Sequence, residues 1–180
     1  PATETPQLLR PAADVSGPLF VGIDLGGTNI KVALVDNSGQ LVAFHTEPTN
    51  VAHGPDNAAI RMGQSVGLLA GCVGRDRSGI SAVGLGTPGP QDLSTGILLK
   101  PGNFPGWENF PIRERVSEHC GHNVTYANDA TAAAYGEFWV GSGRDDSSLV
   151  LLTLGTGVGG GIIIHDMTIE GAHSHGAECG

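Results

Sequence analysis

Cysteine is scarce in this chain: Cys72, Cys120 and Cys179 are three among 180 residues, odd in number and far apart. No disulfide framework or Cys-x-x-Cys metal knuckle can be drawn from them. Such usage suits a reducing, cytoplasmic setting. Long apolar runs are missing as well, and none reaches the roughly 18 residues that read as a membrane-spanning helix. Residues 1–18 lack the basic and apolar regions of a secretory signal. They are rich in Pro, Ala and Thr and are expected to form a flexible tail. Positive charge is short: 9 basic residues against 18 acidic give a formal net charge of −9. A surface of that sign repels a phosphate backbone, which argues against a nucleic-acid partner. An anionic nucleotide can still be received by backbone N–H groups and Mg²⁺.

Glycine is abundant, with 29 residues, about twice its ordinary share of roughly 7%. The excess is not low-complexity sequence. It gathers in turns between apolar runs, where backbone must approach something closely or adopt positive φ. Two of these turns echo one another. Residues 20–36 read FVGIDLGGTNIKVALVD, and residues 149–166 read LVLLTLGTGVGGGIIIHD. Each is an apolar run, a Leu-Gly turn carrying Thr, a second apolar run and an Asp.

Apolar patterning predicts strands over 19–25, 30–36 and 41–47, which form a meander. Ala59, Met62, Val66, Leu69 and Val73 recur at helical spacing, so 56–73 reads as a helix with Asp56 as its candidate cap. A short strand over 80–86 leads into a Thr-Pro-Gly-Pro turn. A further short strand covers 97–100, and a helix over 111–120 stops at Gly121. A strand over 124–127 then feeds a helix over 130–139. Alternating strands and helices indicate an α/β fold with a mixed sheet flanked by helices. The polar stretch around residues 141–148 is the expected boundary between a lobe over 19–146 and a second lobe that begins at 147. That second lobe has a hairpin and no helix to cover it, so the 180 residues are expected to be part of a longer protein.

Five clusters are candidates for chemistry. In the first turn, a tight backbone lets the N–H groups around Gly26 and Gly27 reach phosphate oxygens. Thr28 and Asn29 can donate hydrogen bonds, and Asp24 is placed to hold Mg²⁺ through water. The same residues also suit a plain hairpin. Thr156 and Gly157 occupy the second turn, where a flexible loop is the alternative. Asn128-Asp129 stands between a strand and a helix. Asp129 is either a helix cap or a carboxylate that accepts a hydroxyl proton. Asn103, in a Pro/Gly-rich loop, has the donors and acceptors that suit sugar hydroxyls, or it fills an ordinary turn. His173, His175, Glu178 and Cys179 form a polar cluster whose spacing matches no complete metal site. Lys31 and the histidines at 45, 53, 119 and 122 read as solvated or core residues.

Taken in order, DLGGTNIKVALVD, GLGTPGP, PGNFPGW, YANDATAAAYGE, LTLGTGVGGGII and GAHSHGAECG resemble the ROK family of sugar kinases and repressors, and most of all its bacterial glucokinases. The resemblance runs from Phe20 to the last residues. It implies an actin-like, ribonuclease-H-like fold of two lobes around a cleft, with this chain supplying the N-terminal lobe and the first hairpin of the second. It implies ATP-dependent phosphorylation of a hexose, glucose foremost, at its 6-hydroxyl. By position, Asp129 resembles the general base, and Asn103, Asn128 and Glu178 resemble sugar ligands. Asp24, Gly26, Gly27 and Thr28 resemble the first phosphate element, and Thr156 and Gly157 the second. Two departures stand out: Gly176-Ala177 reverses a usual Ala-Gly pair before Glu178, and Cys179 replaces a usual Ile or Phe. The family's zinc-binding His and cysteine-rich motif would follow Gly180, so Zn²⁺ is expected only in a longer parent. The family also implies a homodimer. The alternatives are a sugar-responsive repressor, a kinase for mannose, fructose or an N-acetylhexosamine, and an ATPase of the actin or chaperone type. The only basic residue before Asp24 is Arg10, which is too little for a DNA-binding arm.

Overall fold

Alternating apolar residues over 19–25 and 29–36 place one face of two antiparallel strands in a core. The computed structural model describes residues 5–154, 158–172, 174, 176 and 177. Its strands are β1 (Gln7–Leu8), β2 (Leu19–Leu25), β3 (Asn29–Asp36), β4 (Leu41–Pro48), β5 (Ala82–Thr87), β6 (Gln91–Asp92), β7 (Ile97–Leu98), β8 (Val124–Asn128), β9 (Ser148–Leu154), β10 (Val158–Ile164) and β11 (Met167–Thr168). Its α-helices are α1 (Pro55–Cys72), α2 (Ile112–Cys120) and α3 (Asp129–Trp139).

The central sheet runs β1-β4-β3-β2-β5-β8, with β2–β5 and β5–β8 parallel and the rest antiparallel. This is the mixed sheet expected from the sequence. Leu19, Val21, Ile23 and Leu25 of β2, with Ile30, Val32 and Leu34 of β3, are buried to 3% exposure or less. Met62, Val66 and Leu69 of α1 and Ile112 and Val116 of α2 complete the same core. A second sheet, β11-β10-β9, packs its middle strand against α3. Among the described residues, no helix is long and apolar enough to cross a membrane.

Three local readings change. Residues 7 and 8 join the sheet, pairing antiparallel with Phe44 and Ala43 of β4. Arg10 then forms an ion pair with Asp36. An open sheet edge offers unpaired backbone groups that even a short segment can satisfy, a signal that composition does not carry. Helix α1 begins one residue earlier than expected, with Gly54 as its cap and Pro55 in the first turn. Asp56 accepts from Arg115 Nε of α2 at 2.8 Å instead of capping. Gly121 does end α2, at φ +77°.

Behind the first glycine turn lies a buried ion pair. Glu47 is 4% exposed and meets Arg61 Nη1 of α1 at 2.7 Å. The same guanidinium donates to the carbonyls of Pro48 and Thr49 and to Asn57 Oδ1. Ser65 Oγ donates to the second Glu47 oxygen at 3.3 Å. The end of β4 is thereby tied to α1.

Candidate active site

The turn between β2 and β3 is closed by Gly26 N–H donating to Asn29 O at 3.0 Å. Its register pairs Asp24 with Lys31. Both side chains project from one face of the hairpin, and Lys31 Nζ reaches Asp24 Oδ2 at 3.1 Å. Lys31 is thus a solvated residue, about half exposed, that also pairs with the first carboxylate. The signal was in the sequence. A turn centred on Gly27-Thr28 places residue 31 across from residue 24.

The 101–107 loop is pinned by apolar anchors. Phe104 and Trp107 are buried, with ring centroids 4.9 Å apart, and Trp107 Nε1 donates to Val51 O at 3.1 Å. The exposed Asn103 is thus carried on a fixed frame. A Cβ placed on Gly27 would lie 3.5 Å from Asn103 Cβ, so the loop and the first glycine turn are neighbours.

At the other end of the sheet, β8 delivers Asn128 and Asp129. The cap of α3 is Asn128, whose Oδ1 accepts from Ala130 N at 2.9 Å and Thr131 N at 3.2 Å. Asp129 is the first helical residue, and its Oδ1 accepts from Ala130 N at 2.8 Å. Asn and Asp are near-equal cappers, and the strand ends one residue later than its apolar pattern. The capping role proposed for Asp129 therefore falls one position earlier. Capping engages the Asn128 oxygen and leaves its NH₂ out of the cap.

Strand β8 is held in place by a buried hydroxyl network. Thr87 Oγ1 lies 2.9 Å from Gln91 Oε1 and 2.8 Å from Tyr126 Oη. Burial pushes the Tyr126 phenol up to about 12, against the opposing bond to Thr87.

Asp24, Lys31, Gly86, Asp129, Thr131 and Glu170 all line one cleft of about 860 Å³. It lies on the sheet face away from α1. The structure thus brings Asp24 and Asp129 into a common space. Asn128 lines a small adjoining pocket with Thr131, Glu170 and Ser174. Asn29 stands in β3, one residue past the turn. Glu170, which the sequence did not single out, lines both spaces. Thr156, Gly157 and Glu178 lie outside the described residues, as do His173, His175 and Cys179.

The glycine-rich second hairpin has a packing role that its sequence did not disclose. A Cβ on Gly161 would lie 2.4 Å from Ala134 Cβ and 2.7 Å from Ala130 O. On Gly159 it would lie 3.2 Å from Ala130 Cβ. Strand β10 therefore approaches the backbone of α3 only because these positions lack side chains. Gly161→Ala is expected to destabilise by about 1–3 kcal/mol through overpacking, read by urea unfolding of a chain extended to the relatives' full length. Unchanged stability would mean that β10 can withdraw from α3 at no cost.

Asp24 suits Mg²⁺, which keeps several waters and takes one or two carboxylates beside phosphate oxygens. Its carboxylate is about half exposed and opens on the cleft. Among the described residues, no group of three His, Cys, Asp or Glu is placed to hold a metal ion by protein ligands alone.

A family model described as the ROK family matches residues 20–180. The glucokinase of Thermotoga maritima is 36% identical over 161 residues, which cover 89% of this chain and 49% of that protein. The crystal structure of a ROK hexokinase from Thermus thermophilus superposes with TM-score 0.80 at 34% identity, covering 89% of this chain and 51% of that one. A ROK family glucokinase from Streptomyces griseus, in complex with glucose and AMPPNP, gives TM-score 0.76 at 32% identity, with 89% and 49% covered. The mixed α/β architecture is that of the actin-like ATPase fold these sugar kinases share. The chain spans about half the length of the curated relatives it matches.

Proposed function

This chain belongs to the ROK family, and on that premise we propose that, at the length of its relatives, it transfers the γ-phosphoryl group of ATP to the 6-hydroxyl of a hexose, glucose first. The observation that carries this reading is the shared cleft of Asp24 and Asp129, with Asn128 rather than Asp129 capping α3. The glucose and AMPPNP held by the Streptomyces griseus relative support the same ligand classes here.

Phosphoryl transfer asks the protein mainly for positioning and charge stabilisation. The Gly26-Gly27-Thr28 turn receives donor phosphates on backbone N–H groups, and Thr156 and Gly157 are assigned as the second phosphate element. Asn103, Asn128 and Glu178 orient the sugar through its hydroxyls. Asp129 accepts the proton of the attacking hydroxyl, at the positive end of α3 where a carboxylate is favoured. Asp24 would hold Mg²⁺ through water, and the charge supplied there would offset that of the phosphates. Lys31 balances the charge of Asp24 across the hairpin. The reading also makes the protein a cytoplasmic homodimer without nucleic-acid or membrane partners; sedimentation analysis tests the dimer.

Coupled ADP release on the extended chain tests the activity. Turnover is expected with glucose and only background without sugar. Mannose, fructose and N-acetylmannosamine in parallel reactions rank the hexoses. Turnover that ignores sugar would overturn the reading in favour of a plain ATPase.

A further inference from the structure

Thr49 sits just past β4 and does not line the cleft. It is fully buried, yet both of its hydrogen-bonding donors face the first glycine turn. Its Oγ1 donates to Gly26 O at 2.6 Å, and its N–H donates to Thr28 O at 2.8 Å. We infer that Thr49 is a positioning residue that fixes which way the peptide groups of the phosphate turn face. The inference rests on the kinase reading for what the turn binds.

The argument starts from peptide geometry. A trans peptide is planar, and its C=O and N–H point in opposite directions. Holding the Gly26 carbonyl toward buried Thr49 sends the Gly27 N–H to the other side. Holding the Thr28 carbonyl does the same for the Asn29 N–H. That other side is the exposed one, where Gly27 and Thr28 meet solvent and Asn103 stands beside them. Both N–H groups are thus aimed where an anion can reach them.

The brace is needed because the peptide it holds lies between two glycines. Glycine takes positive and negative φ with similar ease, so a Gly26–Gly27 peptide can flip at little steric cost. Flipped, it would present a carbonyl oxygen to the phosphates in place of an N–H. The hairpin itself does not require the hydroxyl. Its ladder already carries seven residue pairs, and Gly26 N–H closes the turn onto Asn29. Thr49 is in turn held from behind, because Arg61 donates to the carbonyls of Pro48 and Thr49. The line of support runs from α1 through the end of β4 to the turn.

Thr49→Val keeps the volume and the backbone donor and removes the hydroxyl, whereas Thr49→Ser keeps the hydroxyl. Calorimetric titrations of the extended chain with AMPPNP, inorganic tripolyphosphate and glucose read the effect. Thr49→Val is expected to bind AMPPNP and tripolyphosphate about tenfold more weakly, the upper end for one lost hydrogen bond. Glucose affinity should be unchanged, and Thr49→Ser should restore the polyphosphate affinities. Unaltered polyphosphate affinity in Thr49→Val overturns the inference, as does an equal loss for glucose, which would mark Thr49 as structural only. Should Thr49→Val fail to fold, the amide proton of Gly27 in the wild-type chain answers the question by NMR. It is expected to move downfield on addition of tripolyphosphate, and an unmoved amide overturns the inference. The kinase reading fails separately. A wild-type chain that binds AMPPNP but phosphorylates no hexose sinks that reading and leaves the brace to the titrations. A wild-type chain that binds no polyphosphate sinks both.

Discussion

Asp129→Asn, in a chain extended to the length of its relatives, is expected to lower kcat by about 10²–10⁴-fold, the usual worth of a positioned general base. That corresponds to roughly 3–5 kcal/mol of transition-state stabilisation. The substitution is nearly isosteric. An amide oxygen can still accept from Ala130 N, as Asp129 Oδ1 does at 2.8 Å, and the cap at Asn128 is untouched. What is lost is the capacity to take up a proton. Sugar affinity should therefore hold while turnover collapses, a split that direct glucose titration beside steady-state kinetics resolves. Turnover within a fewfold of wild type would remove Asp129 from the base role. A parallel fall in glucose affinity would make it a sugar ligand first.

Arg61→Ala should carry the largest stability cost, about 3–5 kcal/mol, the range for removing one partner of a buried ion pair. Glu47 is 4% exposed, and the Arg61 side chain is 17% exposed. Without the guanidinium, the carboxylate keeps Ser65 Oγ at 3.3 Å, too little for a desolvated charge. The carbonyls of Pro48 and Thr49 lose their donor together. Arg61→Lys should recover only part of the loss, since an ammonium cannot reproduce the fork that reaches Glu47 and two carbonyls at once. Urea unfolding of the extended chain reads both variants. An alanine variant as stable as wild type would mean that Glu47 finds another partner or water.

The parts of this molecule that could be read from sequence follow from local rules. The β2–β3 and β9–β10 hairpins show as apolar runs about glycine turns, and α1 as a face of residues at helical spacing. The Gly121 stop of α2 follows from the left-handed conformation that glycine tolerates. What escaped depends on partners distant in sequence. The cap went to Asn128 because the strand runs one residue further than its apolar pattern, through parallel pairing with β5. Gly159 and Gly161 read only as part of a glycine-rich hairpin, while their contact with α3 needs the fold. Thr49 offered no signal, being a single threonine beyond a strand end. The pairing of residues 7 and 8 with β4 arises from an edge left open by the rest of the sheet.

The strand order β3-β2-β5-β8 also bears on how the site comes into being. The glycine turn, Asp24 and Thr49 belong to a meander joined by short loops, whose closure costs little chain entropy. Asp129 arrives only at the end of β8, through the parallel pairings Asp24↔Gly86 and Gly86↔Ala127. Parallel partners far apart in sequence are slow to find one another. The Asp24 side of the cleft is thus positioned to form early, and the Asp129 side to be installed last.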